Sequence, residues 1–275
     1  MSSAYLRLGL VGQGIGHSLS PRLHARLLQC AGIQGEYRLY DLDDCSGPLE
    51  FLRCGELDGL NVTTPFKRHA ALACSPALGF PVNTLRARDG ALQGWSSDGP
   101  GFVDAATSLW GDLAGATVLL LGTGGAAESL LPSLGQAGAD VRLWGRNHLS
   151  AQELAVRGGC ALWAEAPSEL PQLVVHASRW GHGQEGMAPA SEAQAWSGFP
   201  WAAWSAAGTA VIDLVYSAAG PTWFEALAID RQVRVVAGFG RAMLAAQAAR
   251  SFGWWGGIAV PWQEIASEIN APVGR

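Results

Sequence analysis

The sequence predicts an α/β protein of two domains, and three observations support this. The 275 residues are enough for one large domain or two ordinary ones. Along roughly the first hundred residues, short apolar runs alternate with helix-like stretches, which is typical of a mostly parallel sheet. A second alternation of the same kind begins near Thr117. We therefore expect two α/β units in succession.

In the first unit, the expected strands lie at residues 6–11, 36–40 and 59–62. Ser20 is the expected N-cap of the first helix, because a serine hydroxyl accepts from free amides and Pro21 suits the first helical position. A second helix is expected at residues 48–54. Pro65 marks the start of a third helix, which carries Lys67 in its first turn.

The second unit opens with an unbroken apolar run, a glycine turn and an amphipathic helix, over residues 118–134. Further strands are expected at residues 141–147, 173–178 and 210–215, with a helix near Ser150. Residues 181–208, rich in Ala, Gly, Trp and Pro, predict an irregular excursion. Two helices are expected towards the C-terminus, near residues 241–252 and 261–269.

The composition disfavours several classes of protein. A net charge of −5 and a pI near 5.7 argue against nucleic acid as a partner. No apolar run approaches the roughly 20 residues that span a bilayer, and the N-terminus lacks a secretory signal pattern, so we expect a cytoplasmic protein without a membrane partner. The five cysteines lack CxxC spacing and the six histidines lack metal-ligand spacing, so we expect neither a disulfide framework nor a metal site.

Lysine is nearly absent from the chain: 17 of its 18 basic residues are Arg, and the single Lys is Lys67. Arg does not give up its proton in a protein, whereas a desolvated Lys can. Lysines mostly occupy solvated faces, but Lys67 follows Pro65 in a polar, loop-like segment. Chance placement is the alternative, and we favour a chemical role.

A glycine turn follows the first strand of the second unit. Gly122, Gly124 and Ala127 fill the GxGxx(G/A) pattern, together with Gly125 and Ala126. The first glycine permits the tight turn, the second lets a pyrophosphate approach the backbone, and the small third residue lets helix and strand pack closely. A packing turn in an unrelated α/β protein is the alternative. Because strand, helix and next strand follow at the required spacing, we favour a Rossmann-like nucleotide-binding domain.

The residues after the next strand indicate which nucleotide is bound. NAD sites usually carry Asp or Glu there to hold the ribose hydroxyls, whereas NADP sites use Arg on the 2′-phosphate. This chain has Gly145, Arg146 and Asn147, and no acid. The sequence therefore favours NADP, with Arg146 and Asn147 as candidate contacts.

Six segments match one family in order. They are GHSLSP (16–21), GLNVTTPFK (59–67), VNTL (82–85), SDG (97–99), GTGGAA (122–127) and MLAAQAA (243–249). On these motifs the chain resembles the shikimate dehydrogenases from end to end. The resemblance implies reversible, NADPH-dependent reduction of 3-dehydroshikimate to shikimate, a step of aromatic amino acid biosynthesis.

The resemblance also implies roles for particular residues. Lys67 becomes the acid/base group that protonates the developing alkoxide, with Asp98 as its partner. Gly240 joins the glycine turn as a cofactor contact. The implied substrate-binding residues are Ser18, Ser20, Asn61, Thr63, Asn83, Tyr216 and Gln247.

Local structure offers alternatives for three of these residues. Helix capping is an alternative role for Ser20 and for Asp98, and a turn position is one for Asn83. Gln247 is harder to explain structurally, because its amide lies on an otherwise apolar helix face and needs partners if it is buried.

The chain departs from the family pattern at several positions. They are Ser96, His176, Ser178, Arg179, Ala218 and Phe239. The family has Asn at the first, Asn and Thr at the positions of His176 and Ser178, and Asp at that of Phe239. These changes bear on cofactor preference and substrate identity more than on the fold.

By the resemblance, residues 1–101 plus 238–275 form a substrate-binding domain and residues 102–237 an NADP-binding Rossmann domain, with a cleft between them that closes on ligand. The expected partner is the small-molecule substrate, and the protein is expected to be a monomer or homodimer. Two rivals remain open. One is a quinate/shikimate dehydrogenase that uses NAD or NADP. The other is a catalytically lapsed metabolite- or nucleotide-binding protein, which would bind ligand without turnover.

Overall fold

Two compact units make up the fold. The computed structural model describes residues 5–163, 169–178, 196–217, 220–256, 258–266 and 268. Unit 1 comprises Met1–Phe102 and Leu244–Ala271, and unit 2 comprises Val103–Met243 and Pro272–Arg275. Each unit contains one sheet with helices, which confirms the predicted α/β class with two domains.

Unit 1 contains a five-stranded mixed sheet in the order β2-β1-β3-β4-β5. Its strands are β1 (Leu6–Gly12), β2 (Gly35–Asp41), β3 (Gly59–Val62), β4 (Thr84–Arg88) and β5 (Ala91–Trp95). The first three strands are parallel, whereas β4 pairs antiparallel with both β3 and β5. Its helices begin with α1 (Ser20–Ala31), α2 (Ser46–Arg53) and α3 (Lys67–Ala73).

Leucines at helical spacing bury the helices of unit 1. Leu23 and Leu27 of α1, and Leu49 and Leu52 of α2, have at most 2% of their surface exposed. Leu60 of β3 lies in the same core cluster as the two α2 leucines. This packing fixes the carboxyl end of β3, after which the polar segment with Lys67 begins.

The hairpin β4–β5 was missing from the predicted strands. Asp89 and Gly90 form its two-residue turn, and both have positive φ, 53° and 75°. An Asp-Gly pair at such positions is typical of a tight hairpin turn. The sequence therefore carried the signal, and the prediction of a mostly parallel sheet holds only for β1 to β3.

Unit 2 contains a six-stranded, wholly parallel sheet in the order β11-β10-β9-β6-β7-β8. Its strands are β6 (Thr117–Leu121), β7 (Asp140–Trp144), β8 (Ala161–Leu162), β9 (Leu173–His176), β10 (Ala210–Asp213) and β11 (Arg234–Val235). Counted from β6, this is the strand order 3-2-1-4-5-6 of the dinucleotide-binding fold, which confirms the Rossmann-like prediction. The strand order reverses between β6 and β9, and ligands of such sheets bind beyond the strand ends at that point.

Six further α-helices lie within the described residues. They are α4 (Asp98–Leu109), α5 (Gly125–Gln136), α6 (His148–Gly158), α7 (Trp201–Ala207), α8 (Trp223–Asp230) and α9 (Phe239–Gly256). The sequence ranges of α4 and α9 each continue from one unit into the other. Within the described ranges, every helix is too short or too polar to cross a membrane.

Three local predictions were wrong. The N-cap of α1 is Leu19, and Ser20 is already helical, so Ser20 does not cap it. A helix at Trp201–Ala207 occupies part of the segment predicted to be irregular. Near the C-terminus, Trp262–Glu264 forms a 3-10 helix where the start of a longer α-helix was predicted, although Glu268 within the predicted range is helical.

Gly59 allows a close contact in unit 1. A Cβ added there would lie 2.5 Å from Cδ2 of the Trp255 indole. The indole is held in place, because its Nε1 donates to the carbonyl oxygen of Leu85 at 2.8 Å. Only a residue without a side chain fits between the strand and this ring.

We expect the substitution Gly59→Ala to lower the free energy of unfolding by about 1–3 kcal/mol, because it overpacks a fixed contact. Urea denaturation followed by circular dichroism measures this. The matched control is Gly47→Ala in α2, where an added Cβ has no neighbour within 4 Å. The control should be neutral or stabilising by at most about 1 kcal/mol. Equal stability of the two variants would contradict the packing argument.

Candidate active site

A buried ion pair joins Lys67 and Asp98. The Lys67 Nζ lies 2.6 Å from Oδ2 of Asp98, and the two side chains are only 19% and 7% exposed. Lys67 begins α3 shortly after β3, and Asp98 begins α4 shortly after β5. Two helix starts thus bring together the single lysine of the chain and a carboxylate.

Asn83 fixes the other side of the Asp98 carboxylate. Its Nδ2 donates to Oδ1 of Asp98 at 2.8 Å, and its own Oδ1 accepts from the backbone N–H of Ser97 at 2.8 Å. Both Asp98 oxygens are therefore engaged by side chains. Because α4 begins at Asp98, this residue is helical and does not precede its helix as an N-cap. Asn83 is buried and bonded through both ends of its amide, so it is more than a turn residue.

The network continues from Asn83 towards β2. Asn61 Nδ2 donates to the Asn83 carbonyl oxygen at 2.9 Å and to Ser251 Oγ at 3.1 Å. The Thr84 and Ser251 hydroxyls lie 2.9 Å apart. At the far end, Tyr37 donates from its hydroxyl to Asn61 Oδ1 at 2.9 Å. One contiguous set of hydrogen bonds thus connects Tyr37 to Lys67.

His24 packs against Tyr37. The two rings stack with centroids 4.1 Å apart and planes within 6° of parallel. Burial lowers the pKa of His24 to about 3, and the neighbouring Asn61 side chain only partly opposes this, so the imidazole is neutral. Burial also raises the pKa of Tyr37, which keeps its hydroxyl a donor to Asn61.

The remaining implied substrate residues lie in different places. Ser18 donates from its hydroxyl to that of Ser20 at 3.1 Å, at the start of α1. Thr63 directly follows β3, and Gln247 lies half-buried on α9 with no side-chain hydrogen bond to any described residue. Gly101 lets α4 approach this part of α9, since a Cβ there would lie 2.7 Å from the Gln247 backbone nitrogen. Tyr216 belongs to unit 2, where burial raises the pKa of its hydroxyl and Arg241 opposes the shift.

Sequence reasoning missed three members of the network. Ser251 lies one helical turn after Gln247, and that spacing was a usable signal. Thr84 lies within the VNTL segment, where only Asn83 was singled out. Tyr37 has no sequence signal, because its contact with Asn61 depends on the pairing of β2 and β3 around β1.

The glycine turn of unit 2 has the backbone that phosphate binding needs. Gly122 has φ of +134°, and a Cβ there would lie 2.8 Å from the Ala177 carbonyl oxygen. Gly124, the N-cap of α5, is open, with nothing within 4 Å of an added Cβ. The first helical bond runs from Glu128 N to Gly124 O, so the N–H groups of Gly125, Ala126 and Ala127 have no acceptor within the helix. These features fit a dinucleotide pyrophosphate.

The other candidate cofactor residues differ in their exposure and in the contacts that they already make. Arg146 is exposed in the loop after β7, where a 2′-phosphate would be held. Asn147 caps α6 by accepting from Ser150 N at 3.1 Å, so its side chain already has a structural task. Gly240 packs against backbone, since a Cβ there would lie 2.6 Å from the Val215 carbonyl oxygen. That contact alone accounts for a glycine at this position.

The departures from the family pattern fall into three groups. Ser96 has a buried hydroxyl with no hydrogen-bond partner among the described residues. Phe239 is wholly buried, and so is His176, whose Nδ1 lies 2.9 Å from Oδ1 of Asp213. Arg179 and Ala218 lie outside the described residues. Across the described part of the chain, no three His, Cys, Asp or Glu side chains are grouped so that they could hold a metal ion.

Comparison with known proteins gives one family. A family model described as the shikimate dehydrogenase substrate binding domain matches residues 10–77. The shikimate dehydrogenase (NADP(+)) of Bordetella avium is 34% identical, over 93% of this chain and 92% of the relative. The enzyme of the same name from a strain of Thermus thermophilus is also 34% identical, over 92% of this chain and 93% of the relative.

A solved structure agrees with these relatives. Shikimate 5-dehydrogenase from Thermus thermophilus, in complex with NADP(H) and shikimate, has a TM-score of 0.79 and 29% identity. The match covers 96% of this chain and 98% of that one. With the identity that the relatives show over nearly its full length, the chain belongs to the shikimate dehydrogenase family.

Proposed function

We propose that this protein is an NADP-dependent shikimate dehydrogenase, which reduces 3-dehydroshikimate to shikimate reversibly. The observation that carries the proposal is the buried pair of Lys67 and Asp98, 2.6 Å apart. A ketone reduction needs a hydride donor and a group that protonates the new alkoxide. A largely buried ammonium held by a carboxylate supplies the second requirement.

Lys67 performs the proton transfer in this proposal. When bound, NADPH would supply the hydride for the carbonyl carbon of the substrate. Lys67 donates a proton from Nζ to the carbonyl oxygen of the substrate, as the π electrons of the C=O bond move onto that oxygen. Lys67 then regains a proton from solvent. In the oxidative direction Lys67 removes the hydroxyl proton. Asp98 occupies one of the three donors of Nζ, and this leaves two donors for the substrate.

Short polar side chains bind the substrate, which is a hydroxylated ring carboxylate. We assign the carboxylate to the hydroxyls of Ser18 and Ser20, and the ring hydroxyls to the remaining residues, which are Asn61, Thr63, Asn83, Tyr216 and Gln247. The donors of Asn61 Nδ2 are already directed at protein oxygens. Asn61 therefore serves the substrate as an acceptor through Oδ1. Gln247 supplies an amide that has no partner among the described residues.

The cofactor belongs to unit 2 in this proposal. The amides at the start of α5 hold the pyrophosphate, and Arg146 holds the 2′-phosphate that distinguishes NADP from NAD. In this proposal, residues 1–101 plus 238–275 form the substrate-binding domain and residues 102–237 form the cofactor-binding domain. Quinate or another ring acid is the runner-up substrate, because the same polar groups suit any polyhydroxylated ring carboxylate.

The direct test measures absorbance of the reduced nicotinamide, with shikimate or quinate, and with NADP or NAD. Reduction of NADP that depends on shikimate supports the proposal. Reduction with quinate alone moves the assignment to the runner-up. Cofactor binding without turnover on any ring acid would favour the lapsed binding protein and reject the proposal.

We expect the substitution Lys67→Arg to lower kcat by about a hundredfold to ten-thousandfold, the usual loss when a general acid is removed. Arg keeps the positive charge beside Asp98 but does not release a proton. Steady-state kinetics and a melting curve check this. The size of the loss in kcat distinguishes a role of Lys67 in proton transfer from a role in the ion pair with Asp98 alone. Activity of Lys67→Arg within about tenfold of the parent would mean that the pair is structural only.

We expect the substitution Arg146→Ala to raise KM for NADPH by about tenfold and to leave KM for NADH unchanged. A charged hydrogen bond to phosphate contributes about 1.5–3 kcal/mol, and the exposure of this site reduces that value. The matched control is Arg231→Ala, an exposed arginine of unit 2 that pairs with Asp230. Equal rises of KM for NADPH and NADH in Arg146→Ala would show that Arg146 does not bind the 2′-phosphate.

A further inference from the structure

The carboxylate of Asp41 holds the loop of residues 13–19, which joins β1 to α1. Asp41 is the last residue of β2 and pairs in register with Gly12, the last residue of β1. Its Oδ1 accepts from the backbone N–H of Gly14 at 2.7 Å, and its Oδ2 accepts from that of Ile15 at 3.0 Å. Two bonds to the two oxygens of one side chain fix both the position and the orientation of this backbone.

Two glycines make the loop dependent on such bonds. Gly14 is exposed and has φ of +68°, and beyond its chain neighbours no described atom lies within 4 Å of a Cβ added there. A Cβ added at Gly16 would lie 3.9 Å from Oδ2 of Asp41. The start of the loop is held separately, because Gln13 N donates to the Thr64 carbonyl oxygen at 3.2 Å. Glycine backbone has the most conformational freedom to lose, so the middle of the loop needs the carboxylate to keep one conformation.

The hydrogen bonds of the loop continue to two serine hydroxyls. The carbonyl oxygen of Ile15 accepts from Ser18 N at 2.8 Å. Ser18 Oγ accepts from Ser20 N at 3.2 Å and donates to Ser20 Oγ at 3.1 Å. Ile15 is thus bonded to Asp41 through its N–H and to Ser18 through its carbonyl. A loss of the Asp41 carboxylate would therefore displace the two hydroxyls that the proposed function assigns to the substrate carboxylate.

We propose that Asp41 is a positioning residue for the substrate carboxylate, because it holds the loop that leads to Ser18 and Ser20. This inference rests on the proposed function, since it assumes that these two hydroxyls bind the acid. Both oxygens of Asp41 already accept backbone N–H groups. Asp41 therefore acts through the loop and not by contact with the substrate.

The test is a double-mutant cycle between Asp41 and Ser18, with KM for shikimate as the readout. We expect Asp41→Ala to raise that KM about fivefold to tenfold, the value of about one hydrogen bond, and to change kcat and KM for NADP by less than about twofold. The substrate carboxylate keeps its contacts throughout the reaction, so their loss weakens the ground state and the transition state alike. Ser18→Ala should raise the same KM. The double variant should fall short of the product of the two single effects by at least about threefold.

Two further variants sharpen the comparison. Asp43→Ala is the matched control, because Asp43 is an exposed acid of the same segment that accepts from the Gln13 side chain at 2.8 Å instead of from the loop backbone. It should leave all three kinetic constants within about twofold of the parent. Asp41→Asn keeps one acceptor oxygen and should raise KM for shikimate about twofold to threefold. It carries the same comparison if Asp41→Ala does not fold.

Each outcome decides a separate point. A KM for shikimate that is unchanged in Asp41→Ala overturns the inference and leaves the proposed function intact. Single effects that multiply in the double variant also overturn it, because Asp41 and Ser18 would then act independently. A lowered melting temperature in Asp41→Ala, with kcat and both KM values impaired together, identifies a general structural role and overturns it as well. Failure of the parent protein to turn over shikimate overturns both proposals.

Discussion

The polar interior of unit 1 depends on the burial of the Asp98 carboxylate. A charge that is only 7% exposed must be matched by opposite charge and by hydrogen bonds, since an unpaired one costs several kcal/mol. Lys67 supplies the charge and Asn83 the hydrogen bond, and each is fixed by the start of a different element. Burial of one carboxylate thus sets where α3, α4 and the residue before β4 can lie, and the network from Asn83 to Tyr37 follows from it.

Unit 2 uses the same physical device at the end of β10. Asp213 is 1% exposed and collects donors from the backbone, from a hydroxyl and from an imidazole. The two carboxylates differ in their side-chain partner, because Asp98 pairs with the ammonium of a lysine and Asp213 with the imidazole of a histidine. In both cases the partner is held by a carboxylate that other groups fix in turn.

The sequence was sufficient for features that depend on local pattern. The glycine turn, β3 and the single lysine are each visible within a short stretch of sequence. Lys67 and Asp98 were predicted from motifs. The contact of Tyr37 with Asn61 and that of Ser251 with Thr84 were not predictable, because each joins segments whose pairing is set by the sheet or by α9. Ser20 failed as a cap for a related reason: α1 begins one residue earlier than expected, and its hydroxyl turns to Ser18 instead.

A buried ion pair is a poor device for stability, and this bears on whether catalysis has lapsed. Replacing such a pair with apolar groups of similar volume is often neutral or stabilising, because neither charge then has to leave water. Stability alone therefore does not explain Lys67 and Asp98. Positive charge alone does not explain why position 67 is a lysine. The other 17 basic residues of the chain are Arg, whose planar group suits ion pairs well. Release of a proton is the property that separates Lys67 from the rest. A side chain with that property, largely buried beside a fixed carboxylate, suits the proton transfer that we propose for Lys67.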